Sequence, residues 1–223
     1  ARYVSGNRCE RIYTNGATAV ENGRNAYEEK RKCLFGELGA RSEELGVNSQ
    51  LSTHNSQLKI GLPRCLNIFE EYPFWHALFT ACGIEVVLSS PSDYGRYERV
   101  ARQIMSDNIC FPAKLAHAHV QELVDRRVDR VFMPFVVYER AQGEQNSYNC
   151  PVVTGYSQVI KSVQTTDVPI DAPVFSFKDE KTLYRQCRRY LLGLGVDESC
   201  IRSAFAEAIK AQAVAAYTYV KYY

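Results

Sequence analysis

The feature that most restricts the fold is an alternation, from Leu58 onward, of short apolar runs with stretches of helical periodicity. "LKIGLP" reads as a short strand ended by glycine and proline, and "IEVVLSS" and "RVFMPF" read as two more. Between the first two, "EYPFWHALFTACG" puts Phe74, Trp75, Leu78 and Phe79 on one recurring face, with Pro73 at a favoured first helical position and Gly83 suited to the C-terminal cap. Tyr94 to Met105 carries a mostly polar helical pattern, and Pro112 to Arg126 a clearer one. Strands that alternate with helices are joined by crossovers, which pair the strands in parallel and cover both faces of the sheet. The predicted class is therefore α/β, a Rossmann-like, mostly parallel sheet flanked by helices. Ligands of such sheets sit beyond the carboxyl ends of the strands, so the loops to watch are Pro63 to Tyr72, Ser89 to Tyr94 and Phe135 to Pro151.

After Pro151, "VVTGYSQVI" reads as a short strand and a helix, and "VPIDAPVFSF" as an extended passage punctuated by prolines. Two helices follow, from Asp179 to Leu192 and from Asp197 to the end. The second meets no stop signal, so a chain truncated from something longer is expected. Ahead of Leu58 the chain is rich in Gly, Asn, Ser, Glu and Arg, with one helix around Ala26 to Leu34. The expected organisation is an irregular connector and linker over 1–57, an α/β domain over 58–176 and a C-terminal helical segment over 177–223.

Charge and motif content exclude several function classes. The balance of 27 basic against 25 acidic residues offers no broad electrostatic attraction for nucleic acid or an anionic membrane. The aromatic residues do not interleave with a basic stripe, so base stacking has little support. No apolar run is long enough to span a bilayer and the N-terminus lacks a signal-peptide core, so a cytoplasmic location is expected. The glycine-rich phosphate-binding and nucleophile-elbow motifs are absent, so ATP is not expected to bind this segment.

Eight cysteines lie far apart at positions 9, 33, 65, 82, 110, 150, 187 and 200, with no C-x-x-C pair, so a metal site would have to be assembled by the fold. Cys110, two residues before Pro112, stands just ahead of a helix whose free N–H groups and dipole stabilise a thiolate. It could equally be a small core residue following Ile109. Cys150 precedes Pro151 in the same arrangement, and the two could converge above the sheet. Cys33, Cys82, Cys187 and Cys200 read as packing residues, Cys65 as a loop cysteine without metal spacing, and Cys9 in "SGNRCER" as polar-flanked. Lys114, one turn into the helix, is either a positive charge beside the thiolate or a solvated lysine. His117 and His119 are too close to share a helical face, and a surface or capping role is expected for each. Glu139 and Arg140 either orient a ligand or pair with each other.

In order along the chain, "SGNRCER", "IGLPRCLNIFEEYPFWHALFTACGIEVVLS", "SDNICFPAKLAHAHVQELV", "VDRVFMPFVVYER" and "YNCPVVTGYSQVIK" resemble the uncharacterised domain associated with CoA enzyme activases, found in large bacterial proteins related to activators of 2-hydroxyacyl-CoA dehydratases. The resemblance runs from about Tyr3 to Lys161. It implies a [4Fe–4S] or related iron–sulfur cluster and low-potential electron transfer, with Cys110 and Cys150 as ligands, Cys9 as a third and Lys114 beside them. The implied partners are an ATP-dependent activator module or a dehydratase subunit, with homo-oligomerisation left open. Many relatives read P-C where this chain has "MPF", so Phe135 stands where a further ligand would be and the cluster would need ligands from outside the chain. Two other readings stay open: a docking or structural module with unliganded cysteines, and a single zinc ion held with the help of His117 or Cys9.

Overall fold

The computed structural model describes residues 26–36, 58–139 and 147–221. Four short strands form the main sheet: β1 (Lys59–Leu62), β2 (Glu85–Leu88), β3 (Arg130–Phe132) and β5 (Ile170–Asp171). They lie side by side in the order β2-β1-β3-β5, every neighbouring pair parallel, with Ile60 opposite both Val86 and Arg130, and Val131 opposite Ile170. β4 (Phe135–Tyr138) and β6 (Val174–Ser176) form a separate parallel pair. Pro134 separates β3 from β4 and has no N–H to give a ladder, so the expected single strand "RVFMPF" is two.

Both faces of the sheet are covered, as a parallel sheet requires. On one face, α2 (Leu66–Ala81), α6 (Glu180–Gly193) and α7 (Glu198–Lys221) share a core with the strands. Its centre is aromatic: Trp75 packs edge-on to Phe132 at 4.8 Å between centroids and tilts against Phe175 at the same distance. On the other face, Ala113, Ala116, Val120 and Leu123 of α4 (Phe111–Asp125) and Tyr156 and Ile160 of α5 (Pro151–Val163) close over Val131 and Ile170. Gly61 explains how near α4 lies, because a Cβ there would come within 3.0 Å of Val128 Cγ2 and 3.1 Å of Leu123 Cδ1. The remaining helices are α1 (Ala26–Phe35), stacked on α2 through Phe35 and Tyr72 at 4.9 Å, and the short α3 (Tyr94–Val100). α3 runs into a 3-10 turn over Ala101–Gln103 and is shorter than the expected helix to Met105.

α2 departs most from the sequence expectation. It begins at Leu66, so Pro73 lies inside it rather than in its first turn. A proline there interrupts the backbone ladder. Gln212 of α7 bonds the helix beside the gap: its Oε1 accepts from Phe74 N at 3.1 Å and its Nε2 donates to Glu70 O at 3.0 Å. The rung that Pro73 cannot make runs to Phe69 O, and these two backbone groups form the next one, an i, i−4 pair that a side-chain amide from another helix bridges. The far end of α2 is as expected. Gly83, at φ 74°, closes it with Gly83 N–H to Thr80 O and Ile84 N–H to Phe79 O, the two bonds of a Schellman cap. The expected strand in "VVTGYSQVI" is absent, because Pro151 starts α5 and Val152 and Val153 are already helical.

Candidate functional site

Strand order decides where a ligand can sit. β1 is followed in sequence by its neighbour on one side, β2, and then by its neighbour on the other, β3, so the connections diverge at the carboxyl ends of β1 and β3. There the β1–α2 loop meets the β3–β4 turn, and Asn67 Nδ2 donates across the gap to Pro134 O at 3.2 Å. Arg64 N donates to Ser89 Oγ at 2.7 Å, tying in the loop after β2. Leu66, at the start of α2, has a φ of 51°, a left-handed backbone that an ordinary side chain adopts only under strain. Cys65 beside it is buried and caps α2 without a side-chain hydrogen bond. Burial pushes its thiol well up, which makes it unreactive.

A helix that feeds a parallel strand runs back along the sheet, so its N-terminus lies at the strands' carboxyl edge. α4 feeds β3 and α5 feeds β5. Cys110 is the N-cap of α4 (φ −60°, ψ 147°) and Cys150 the N-cap of α5 (φ −55°, ψ 139°). Both have a proline in the first helical turn, both are exposed and neither side chain makes a cap hydrogen bond. α4 and α5 pack against each other, and Cys110 lies near Tyr156 of α5. Burial raises the Tyr156 hydroxyl, and charge at Cys110 raises it further. The two thiols singled out from the sequence thus stand at matching helix ends on one rim. Phe135 stands next to the same helix, its ring 3.4 Å from where a Cβ on Gly155 would be.

The histidines are not where the sequence put them. Both are buried, because α4 is flanked on one side by α5 and on the other by α3 and the loop after β2. His117 Nε2 meets Tyr156 Oη at 3.0 Å, and its Nδ1 has no partner among the described residues. His119 is held between Ser89 Oγ at 2.9 Å from Nδ1 and Ser92 Oγ at 3.0 Å from Nε2. Burial drives its pKa down to about 4, outweighing the pull of Glu122. Two positions of separation do send the rings to different neighbours, as helical geometry requires.

Next to His119, Glu122 accepts from Ser90 N at 3.1 Å and Ser90 Oγ at 2.6 Å and forms ion pairs with Arg96 and Arg126. Its burial alone would raise its pKa, but these hydrogen bonds and charges outweigh that and hold the carboxyl below its usual range. The sequence reading missed this network. Its only local sign was the polar "SSPSD" placed directly after a strand.

The other candidates divide. Lys114 Nζ donates to Asp107 O at 2.8 Å, binding the loop ahead of α4 to the helix. Glu139 accepts from Asn149 Nδ2 at 2.6 Å, while Arg140 lies outside the described residues, as does Cys9. Cys82, Cys187 and Cys200 are buried, as expected of packing residues, and burial followed by the neighbouring Cys200 pushes the Cys82 thiol up to about 12. Among the described residues no group of three or more His, Cys, Asp or Glu side chains is arranged to hold a metal ion. No helix among them is long and apolar enough to cross a membrane.

The family model described as CoA enzyme activase uncharacterised domain matches residues 59–220, from the first residue of β1 almost to the end of α7. No curated protein and no solved structure matches the chain.

Proposed function

Because the chain belongs to the CoA enzyme activase uncharacterised domain family, we propose that it supplies thiolate ligands from Cys110 and Cys150 to an iron–sulfur cluster of a 2-hydroxyacyl-CoA dehydratase-type system. The observation that carries this reading is the pair of exposed cysteines, free of cap hydrogen bonds, at matching helix N-termini on the carboxyl rim of a parallel sheet. Soft thiolates suit such a cluster, and the two present meet half of a four-thiolate requirement. Cys9 is the third candidate, and the remainder would come from outside the chain, since Phe135 stands where the resemblance would put a further cysteine in many relatives.

A bound cluster would supply low-potential, one-electron chemistry. The chain's own residues account for the rest. Each helix N-terminus stabilises negative charge at its cysteine through unpaired N–H groups and the helix dipole. Lys114 holds the entry loop while keeping a positive charge one turn away. Tyr156 fixes α5 against α4 through His117 and so sets the spacing of the two caps. An ATP-dependent activator module or a dehydratase subunit is the proposed partner, and the location proposed is the cytoplasm.

The test is anaerobic purification with iron, sulfide and zinc analysis of the chain and of Cys110→Ser, Cys150→Ser and Cys187→Ser. Iron and sulfide in the first, lost in both rim variants and kept in Cys187→Ser, support the proposal. Equal iron in all four proteins overturns the ligand assignment. Metal-free protein favours the second reading, a docking module with unliganded cysteines. Stoichiometric zinc would overturn both.

A further inference from the structure

A cleft of about 290 Å³ opens between Arg130 of β3, the start of β6 and the last turns of α6. Its polar lining consists of Arg130, Gln186, Arg189 and Tyr190, and its apolar lining of Pro173, Val174 and Leu194. Val174 is half-exposed, and a Cβ on Gly193 would meet nothing within 4 Å, so the mouth is open.

The polar groups are unevenly spent. Asp171 is fully engaged, taking Arg130 Nε at 2.6 Å, Arg130 Nη2 at 2.7 Å and Tyr190 Oη at 2.8 Å. That leaves Arg130 Nη1 unused by the bridge. Gln186 spends its Oε1 on Ser176 N at 3.0 Å, and its Nε2 has no partner among the described residues. Arg189 makes no hydrogen bond or ion pair with any described residue. The side chains thus offer open donors at Arg189 and Gln186 Nε2, and two guanidinium charges against one carboxylate leave a single net positive charge. The C-terminal end of α6 would ordinarily repel an anion. Here its carbonyls at Tyr190, Leu191 and Leu192 already accept the N–H groups of Leu194, Gly195 and Val196.

We propose that this cleft binds a small organic monoanion, a carboxylate on a short aliphatic body, with Arg189 and Gln186 gripping the carboxylate and Val174, Pro173 and Leu194 covering the tail. The planar guanidinium fork matches a carboxylate in two parallel hydrogen bonds. One net positive charge balances a monocarboxylate and undercompensates a phosphate dianion. The volume is at the small end of ligand sites, which limits the body to a few carbons.

Butyrate, its neutral isostere butyramide and inorganic phosphate serve as probes in an NMR titration of the full chain. Butyrate should shift the amides of Val174, Gly193 and Leu194 saturably, and butyramide should not. Arg189→Ala, an exposed substitution on α6 that leaves the core untouched, should weaken butyrate binding at least tenfold. Unshifted amides, equal binding by butyramide, or unchanged affinity in Arg189→Ala overturns the proposal. Phosphate binding more tightly than butyrate overturns the monocarboxylate assignment. Cluster retention at Cys110 and Cys150 is read separately, so either idea can fail alone.

Discussion

Accessibility separates the cysteines one by one. Cys110 and Cys150 are exposed, whereas Cys65, Cys82, Cys187 and Cys200 are buried with no more than 8% of their surface accessible. Brief iodoacetamide treatment of the native, metal-free protein, read by peptide mass spectrometry, should modify the first two. The buried four should react only after denaturation, and early labelling of Cys187 would contradict the packing described. His119 makes the second prediction at this scale. Its folded pKa of about 4 lies below the value of about 6.5 in an unfolded chain, so its contribution is fully present above pH 6.5 and is lost as the pH falls toward 4. At roughly 1.4 kcal/mol per unit, the loss is on the order of 3 kcal/mol. Glu122, also held low, loses its contribution in the same direction at lower pH. Urea titrations at pH 7 and pH 5 should show a marked fall for the native sequence and a smaller one for His119→Gln, whose amide can still meet the serines but takes up no proton. That His117 and His119 would point apart was legible from their spacing. That both would be buried was not, because burial depends on α5 and on the loop after β2, which no window around residue 117 contains.

Helix α2 shows what a local pattern conveys about an element and what it leaves out. The apolar face of Phe74, Trp75, Leu78 and Phe79 and the cap at Gly83 could be read directly, since they rest on contacts within four residues. Its start could not: Pro73 in a sequence looks like a first-turn residue, and Gln212, which bonds the backbone on either side of it, lies more than 130 positions away. Replacing Gln212 by Ala removes its bonds to Phe74 N and Glu70 O, at a cost of roughly 1–3 kcal/mol for the two. A lowered urea midpoint in Gln212→Ala with an unchanged slope is the expected result, and Gln212→Ala with Pro73→Ala should recover much of the loss by letting the ladder close. If Gln212→Ala alone is neutral, the bridge contributes nothing.

For the whole molecule, α7 belongs to the same core as the sheet-covering α2: Ile201, Ala204, Phe205 and Ala208 pack with Phe74, Trp75 and Phe132. A chain ending after Val196 should therefore lose cooperative thermal unfolding and its near-ultraviolet aromatic dichroism. Retention of both would mean that the α/β layer stands without α7.

By itself the sequence determined the class of fold, the parallel pairing, the positions of most helices and the placing of Cys110 at a helix start. All of these follow from short-range periodicity and from the few ways in which strand and helix can be joined. Only the tertiary structure decided that Cys110 and Cys150 share a rim while four other thiols are sealed away, that Glu122 gathers two arginines, and that Arg189 faces a cleft with no ion-pair partner among the described residues. Each of those depends on which distant side chain arrives opposite, and packing chooses that partner through contacts that no local pattern records.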